Sequence, residues 1–243
     1  MQMQMKAENC HFIYGEQEIN PIPEGWRNNI RDFSRLNEQK FSTNLVTLKT
    51  CGGQFEDLFR ASKILWAQVM RFKTVLDLGG LYSDCDIQYY GPIPDVSECE
   101  HVFATEIHGH VSDAFFYAKP GSHIMKKAFD LSLQWCKEVL QSSVKTVSVF
   151  DFLEGAGVGM FNRLVKSETG LDFVSNNQIH MSETDFAGKF HPENGVGIVP
   201  FEALCRHSRF NWIGWHQCNG TWRPRNDQGA DMSPEALIQF NPS

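Results

Sequence analysis

The sequence lacks the features that mark nucleic-acid-binding, membrane and secreted proteins. It has no run rich in Lys or Arg, and 22 basic residues against 29 acidic ones give a formal net charge of −7. Because such a chain has no broad attraction to a phosphate backbone, we expect no nucleic-acid partner. No segment reaches the roughly 20 apolar residues of a membrane span, and the N-terminus lacks the apolar run of a secretion signal. We therefore expect a cytoplasmic protein, in a bacterial cytosol or, for a viral protein, in that of its host.

The cysteines follow neither a disulfide nor a zinc-binding pattern. Their number, seven, is odd, they are scattered along the chain, and no CxxC occurs. This spacing argues against a disulfide framework and a structural zinc site, and it predicts reduced thiols. With 42% hydrophobic and 21% charged residues, the composition is that of a globular protein and not of a disordered one.

The length and the hydrophobic periodicity predict one α/β domain. A chain of 243 residues is long enough to bury a sizeable core. We assign residues 1–224 to this domain and residues 225–243 to a C-terminal tail. The apolar patterns predict strands at residues 11–14, 43–48, 100–106 and 113–118, and helices at residues 25–36, 55–78, 123–140 and 160–166.

The most informative stretch is residues 78–87, in which two glycines precede two carboxylates. Gly79 and Gly80 allow the backbone to turn and to approach a ligand closely. Asp84 and Asp86 are one residue apart, so their oxygens can surround one hard divalent cation such as Mg²⁺ or Mn²⁺. Such a cation neutralises phosphate charge during group transfer. Two solvated carboxylates on a surface turn are the alternative interpretation of an isolated pair.

A longer pattern surrounds these acids. It comprises, in register, Arg71, Val75, Gly79, Gly80, Tyr82, Asp84 and Asp86. The pattern resembles the sugar-binding region of DXD-containing glycosyltransferases, which include capsular-polysaccharide and mannosyltransferase-like enzymes, large clostridial glucosylating toxins and viral relatives. The resemblance implies a GT-A-like single domain with a mixed central sheet flanked by helices. It also implies a hexosyltransferase-like enzyme of glycan or polysaccharide synthesis. That enzyme would move a sugar from a UDP- or GDP-sugar to an acceptor hydroxyl, with Mn²⁺ or Mg²⁺ as cofactor and with retention of anomeric configuration.

The resemblance also implies roles for single residues. Asp86 binds the metal directly, and Asp84 contacts donor hydroxyls or reaches the metal through water, so both are predicted metal-binding and catalytic residues. Gln68 stands three residues before Arg71, where the family has a carboxylate. Its amide still donates and accepts hydrogen bonds, but the identity of the donor sugar is left open. The other predicted donor-binding residues are Phe12 and Tyr14 near the nucleotide base, Arg71, Gly79, Gly80, Tyr82 and Trp222.

Two later segments add candidates. By the resemblance, His216 is a third metal ligand, since a neutral imidazole binds Mn²⁺ beside carboxylates, and Trp222 packs against the donor. A structural role is the alternative for both. Asp151 and Glu154 adjoin a glycine-rich turn and are candidate catalytic acids, as a base or as stabilisers of positive charge. A helix-capping role is the alternative for these two.

Two other functions remain open at this level. Phosphatases of the haloacid-dehalogenase type also use Asp-x-Asp, but they need a strongly hydrophobic strand directly before the first acid. Here the sequence Gly-Gly-Leu-Tyr-Ser precedes Asp84. A non-catalytic carbohydrate-binding module is the third possibility, because Gln68 stands where the family has an acid.

Overall fold

The computed structural model describes residues 8–14, 22–106, 109–142, 146–171, 195–199, 203–204, 213–217 and 237–239. These residues form a mixed central sheet of six strands with helices on both faces. The predicted α/β class with a mixed, helix-flanked sheet is therefore confirmed. In the part of the chain so described, no helix is both long and apolar enough to cross a membrane.

The elements follow one another in an α/β order. The strands are β1 (Glu8–Ile13), β2 (Phe41–Val46), β3 (Gly80–Ser83), β4 (Ile87–Tyr89), β5 (His101–Thr105), β6 (Val111–Ala118), β7 (Thr146–Ser148), β8 (Val196–Val199), β9 (Gly214–His216) and β10 (Leu237–Gln239). The helices are α1 (Glu24–Asn37), α2 (Glu56–Ala61), α3 (Lys63–Leu78), α4 (His123–Gln141), α5 (Val149–Gly155) and α6 (Val158–Thr169).

The central sheet has the order β2-β1-β3-β6-β5-β8. β3 pairs in parallel with β1 and antiparallel with β6, so it lies where the parallel and antiparallel parts of the sheet meet. Two short ribbons lie outside this sheet, one of β4 with β9 and one of β7 with β10. Strand β10 falls within the predicted C-terminal tail, and the domain boundary at residue 224 stays a prediction.

The sheet separates two hydrophobic cores, because successive side chains of a strand point to opposite faces. Tyr82 and Phe116 face the core beneath α3, α4 and α6, where Phe116 packs against Phe161 with ring centroids 5.2 Å apart. Leu81 faces the second core, beneath α1, where Phe33 is fully buried. β3 is buried along its whole length, which holds its carboxyl end in a fixed place.

The predicted helix over residues 55–78 is two helices. Ser62 is extended, with φ −162° and ψ 119°. Its N–H donates to the Leu58 carbonyl and ends α2, while its carbonyl accepts from the Trp66 N–H and begins α3. The chain therefore turns between the two helices without interrupting the apolar pattern that predicted a single one.

The two glycines before β3 are required by close packing. Gly79 and Gly80 have φ of +64° and +105°. A Cβ on Gly79 would lie 2.4 Å from Cδ of Pro120, and one on Gly80 would lie 2.3 Å from the Asn9 carbonyl oxygen. The side chain of His11 also reaches the Gly79 carbonyl, at 2.8 Å. The chain can therefore pass from α3 into β3, next to β1, only through residues without a side chain.

Among the described residues the cysteines are all free thiols. They are Cys10, Cys51, Cys85, Cys99 and Cys136.

Candidate active site

Strand β3 delivers Asp84 and Asp86 to a turn that is held from two sides. The Asp84 N–H donates to the Ala114 carbonyl at 2.8 Å, which continues the pairing of β3 with β6. On the other side, Nδ2 of the buried Asn29 donates to the Cys85 carbonyl at 3.0 Å. The Cys85 thiol lies 3.7 Å from the Ile13 carbonyl, toward β1. The two carboxylates therefore project from a backbone fixed by β6 and α1.

The ribbon of β4 and β9 brings His216 to the same turn. Ile87 lies opposite His216 in this antiparallel pair, and the Gln217 N–H donates to the Asp86 carbonyl at 3.0 Å. Gly214 permits the close approach, because a Cβ there would lie 2.4 Å from the Gln88 carbonyl oxygen. A residue far along the chain is thus positioned by backbone pairing next to the two acids.

Asp84, Asp86 and His216 form one compact group. Each offers a ligand atom, and these atoms lie within 4.8 Å of one another. Nε2 of His216 is 3.3 Å from Oδ1 of Asp86 and 4.0 Å from Oδ2 of Asp84. Two carboxylates and an imidazole are a donor set that suits Mn²⁺, and the carboxylates also suit Mg²⁺. The group is therefore compatible with a divalent cation.

The electrostatics of Asp84 favour a neighbouring cation. Burial, reinforced by the Asp86 carboxylate, raises the pKa of Asp84 to about 6, against the opposing effect of Arg71. Burial also raises the pKa of Tyr82 well above its ordinary value, so its hydroxyl stays protonated and donates to Asp84 Oδ1. Because the two ionised carboxylates repel each other in a partly buried turn, a bound cation would stabilise the arrangement.

Helix α3 places Gln68 and Arg71 on one face, one turn apart, beside the turn of the two acids. Nη1 of Arg71 lies 3.3 Å from Oδ2 of Asp113 and 3.7 Å from Oδ1 of Asp84, and it donates to the Asp113 carbonyl at 2.8 Å. Its guanidinium also lies over the Tyr82 ring, 5.0 Å from the centroid. Burial opposes its charge, but Tyr82, Asp84 and Asp113 outweigh burial and raise the pKa of Arg71 above its ordinary value. Arg71 is therefore a fixed cation between two acids.

These side chains line a cavity of about 330 Å³, called the carboxylate cavity below. Its size is within the range of small-molecule sites. One wall is apolar and comes from Ile64 of α3, Phe152 and Leu153 of α5, and Val158 of α6. Tyr14 and Trp26 lie at another part of the wall, edge to face with ring centroids 5.8 Å apart. The cavity thus combines a charged region with apolar and aromatic surfaces.

The structure brings most of the candidate residues together. The cavity is lined by Tyr14, Gln68, Arg71, Tyr82, Asp84, Asp86 and His216. Phe12 is instead fully buried in the core beneath α1, against Phe33. Gly79 and Gly80 lie at the opposite end of β3 from Asp84. Trp222 lies outside the described residues.

The two candidate acids near the glycine-rich turn do not line this cavity. Asp151 is exposed and lies in the first turn of α5, where its N–H and its carboxylate both contact the Ser148 hydroxyl. Glu154 pairs with Arg163 and lines a separate surface depression. The contacts of Asp151 are those of a helix cap, whereas Glu154 makes a surface ion pair with Arg163.

Three residues of the site lie outside the set of candidates given by the sequence. Asp113 and Glu106 both line the carboxylate cavity, and Asn29 holds its turn. Oε1 of Glu106 accepts from the Ser112 hydroxyl at 2.8 Å, and the Glu106 N–H donates to the His110 carbonyl. Asp113 is the charged residue of a mainly apolar strand, which is a signal in the sequence, but a single acid in a strand does not indicate which side chains it contacts.

Among known proteins the matches are solved structures, of which 15 chains align with this one. No family model matches the sequence, and no curated protein matches it. One solved structure, described as the PaToxG glycosyltransferase, aligns with a TM-score of 0.49 and 15% sequence identity. The alignment covers 71% of this chain and 73% of that one. At this level of similarity the match carries no function over to this chain, whose distinguishing features are its α/β fold and the Asp84–Asp86–His216 group in its carboxylate cavity.

Proposed function

We propose that this protein is a metal-dependent glycosyltransferase of GT-A type that uses a nucleotide-diphosphate sugar. The observation that carries the proposal is the Asp84–Asp86–His216 group, whose ligand atoms lie within 4.8 Å of one another at a ligand-sized cavity. Asp84, Asp86 and His216 would hold Mn²⁺ or Mg²⁺. When bound, that cation supplies positive charge to the diphosphate and to the leaving nucleotide.

Arg71 would act on the same charge. It is largely buried, and its pKa is raised by its acidic neighbours, so it stays protonated at any physiological pH. A fixed cation of this kind stabilises negative charge that develops on a leaving group without reorganising. Tyr82 and Asp113 orient its guanidinium, which keeps it beside Asp84.

Glu106 is the cavity acid best suited to meet the acceptor. Asp84 and Asp86 belong to the metal group and Asp113 is paired with Arg71, whereas no cation pairs with Glu106 within the described ranges. In the transfer, the bond from the anomeric carbon to the diphosphate oxygen breaks, and the acceptor oxygen bonds to that carbon on the same face, so that the configuration is retained. The bonding electron pair leaves with the diphosphate, and the acceptor proton passes to the Glu106 carboxylate.

The donor and the stereochemistry belong to the same proposal. We propose a UDP- or GDP-hexose as donor, a hydroxyl of a glycan as acceptor, and retention of configuration, as the family resemblance implies. Tyr14 and Trp26 offer aromatic surfaces against which a nucleobase can pack. Comparing the anomeric configuration of donor and product by NMR tests retention.

The function is tested with a panel of UDP- and GDP-sugars, with and without Mn²⁺, by measuring free nucleotide release and the thermal unfolding midpoint. We expect nucleotide release and stabilisation that both require Mn²⁺ and are lost in Asp86→Asn. The exposed variant Asp130→Asn makes the same chemical change away from the site and serves as the control. Hydrolysis of phosphomonoesters without a nucleotide effect would instead support the phosphatase, and metal-independent glycan binding would support the carbohydrate-binding module.

A further inference from the structure

Gln68 on α3 and Asp113 on β6 meet directly at the carboxylate cavity. Nε2 of Gln68 donates to Oδ2 of Asp113 at 2.9 Å. Arg71 contacts the same carboxylate oxygen and also the Asp113 backbone carbonyl, so it fixes this residue at two points. Gln68 is 3% exposed and the Asp113 side chain 14% exposed, so both are held by packing as well as by hydrogen bonds.

The contact fixes the orientation of the Gln68 amide. A carboxylate can only accept hydrogen bonds, so the NH₂ group of the amide must face Asp113 and the amide oxygen must point elsewhere. In the segments that the structure describes, no donor reaches Gln68 Oε1 or Asp113 Oδ1. Two acceptor oxygens on adjacent side chains of the cavity are therefore left for a ligand.

The chemistry of these two oxygens selects the part of the ligand that binds there. A diphosphate offers only acceptors and carries negative charge, so a carboxylate beside a carbonyl oxygen repels it. Two neighbouring O–H groups, as on adjacent ring carbons of a sugar, donate one hydrogen bond to each oxygen. A hydrogen bond to the charged Asp113 is the stronger of the two.

We infer that Gln68 and Asp113 form the donor-sugar subsite and recognise a pair of sugar hydroxyls, with Asp113 as the specificity-determining carboxylate. This inference rests on the proposed function. The subsite lies next to the metal group, because Arg71 lies between Asp113 and Asp84 and contacts both. The diphosphate then binds at the cation and the hydroxyls of the attached sugar reach the acceptor pair.

The test compares the affinities of nucleotide sugars with those of the free nucleotides. Kd values of UDP, GDP, UDP-glucose, UDP-galactose and GDP-mannose are measured by calorimetry with saturating Mn²⁺. In Asp113→Asn we expect the preferred nucleotide sugar to bind about 10- to 100-fold more weakly, as for the loss of a hydrogen bond to a charged group. The free nucleotide loses much less affinity, because Arg71 keeps its hydrogen bond to the backbone carbonyl of residue 113. In the control Asp130→Asn neither ligand changes in affinity.

A double variant keeps the net charge and the hydrogen bond between positions 68 and 113 but moves the carboxylate from position 113 to position 68. In Gln68→Glu with Asp113→Asn, the new amide at position 113 donates to the new carboxylate at position 68, three residues before Arg71. The net charge and the hydrogen bond between the two side chains are conserved, and Arg71 still donates to the backbone carbonyl of residue 113. This variant is therefore expected to fold even if Asp113→Asn does not. We expect it still to bind free nucleotide and to rank the three nucleotide sugars in a different order.

Three results overturn the inference. An unchanged ranking in the double variant shows that the pair does not recognise the sugar. An equal loss for free nucleotide and nucleotide sugar in Asp113→Asn shows that Asp113 serves the ribose or the position of Arg71 instead. If no nucleotide binds to the wild type in the presence of Mn²⁺, the proposed function itself fails, and the sugar subsite fails with it.

Discussion

Replacing Asp86 by asparagine tests the proposed metal-binding role of this carboxylate separately from its effect on the stability of the fold. The exchange keeps the shape of the side chain and removes one of three ligand groups. Loss of a residue that merely supports a metal ligand costs about 10- to 100-fold in affinity, so we expect a loss of at least about 100-fold for a direct ligand.

The magnitude follows from the linkage between binding and unfolding. At a Mn²⁺ concentration 100 times its Kd, binding stabilises the wild type by about 2.7 kcal/mol. For a chain of this size, each kcal/mol shifts the unfolding midpoint by about 2–4 °C, which gives about 5–11 °C. After a 100-fold loss of affinity the same concentration contributes about 0.4 kcal/mol, or about 1–2 °C.

Without metal, we expect Asp86→Asn to have the opposite effect and not to lower the stability of the protein. With ligand oxygens no more than 4.8 Å apart, the ionised carboxylates of Asp84 and Asp86 repel each other by about 3.5 kcal/mol or more at an effective dielectric constant of 20. Asp86→Asn removes this repulsion, at the cost of some attraction to Arg71 and His216. We therefore expect the metal-free variant to be at least as stable as the metal-free wild type.

The assay is thermal unfolding in EDTA and across a Mn²⁺ titration, for the wild type, Asp86→Asn and Asp130→Asn. A variant that keeps the full Mn²⁺-dependent shift would refute Asp86 as a ligand. A variant that is markedly less stable than the wild type in EDTA would instead assign Asp86 a structural role.

Three further predictions concern other parts of the molecule. Asn29→Ala leaves the buried Cys85 carbonyl without its hydrogen-bond donor. We therefore expect the free energy of unfolding, measured in urea, to fall by about 1–3 kcal/mol and Mn²⁺ to bind more weakly. An unchanged Mn²⁺ affinity would contradict the role of Asn29 in holding the turn. Burial lowers the pKa of His101 to about 4. The stability that comes from keeping this imidazole neutral is therefore complete above pH 6.5 and is lost as the pH falls toward 4. We expect the loss to be about 2 kcal/mol near pH 5. His101→Phe should flatten this part of the pH–stability profile, and a profile of wild-type slope would locate the titration elsewhere. Glu106→Gln should lower sugar transfer by about 100-fold or more without changing nucleotide affinity, whereas a comparable loss in Glu154→Gln alone would assign the step to that residue.

The sequence predicts those parts of the site that local patterns encode. Asp84 and Asp86 are neighbours in the chain and follow a strand that is buried on both faces, so their position at a strand end follows from the apolar residues before them. Gln68 and Arg71 share a face because α3 keeps the helical period across them. These residues lie together in the structure. The pattern that predicted them is contained within one helix, the strand that follows it and one turn.

Contacts between distant segments are not encoded in this way. His216 was expected at the metal only through a family resemblance, and its place depends on the pairing of β9 with β4, which no local periodicity specifies. Asp113 meets Gln68 because β6 lies next to β3 in the sheet. The break at Ser62 was missed because one extended residue leaves the apolar pattern intact.

The ribbon of β4 and β9 also determines when, during synthesis, the site becomes complete. All six strands of the central sheet and both carboxylates have been made once the chain reaches Val199, whereas His216 follows later. A growing chain can therefore assemble its sheet while the site still lacks its imidazole. Any chain released before β9 would keep the acid pair but lack His216, so under the proposed function full metal affinity would be confined to chains translated past this point.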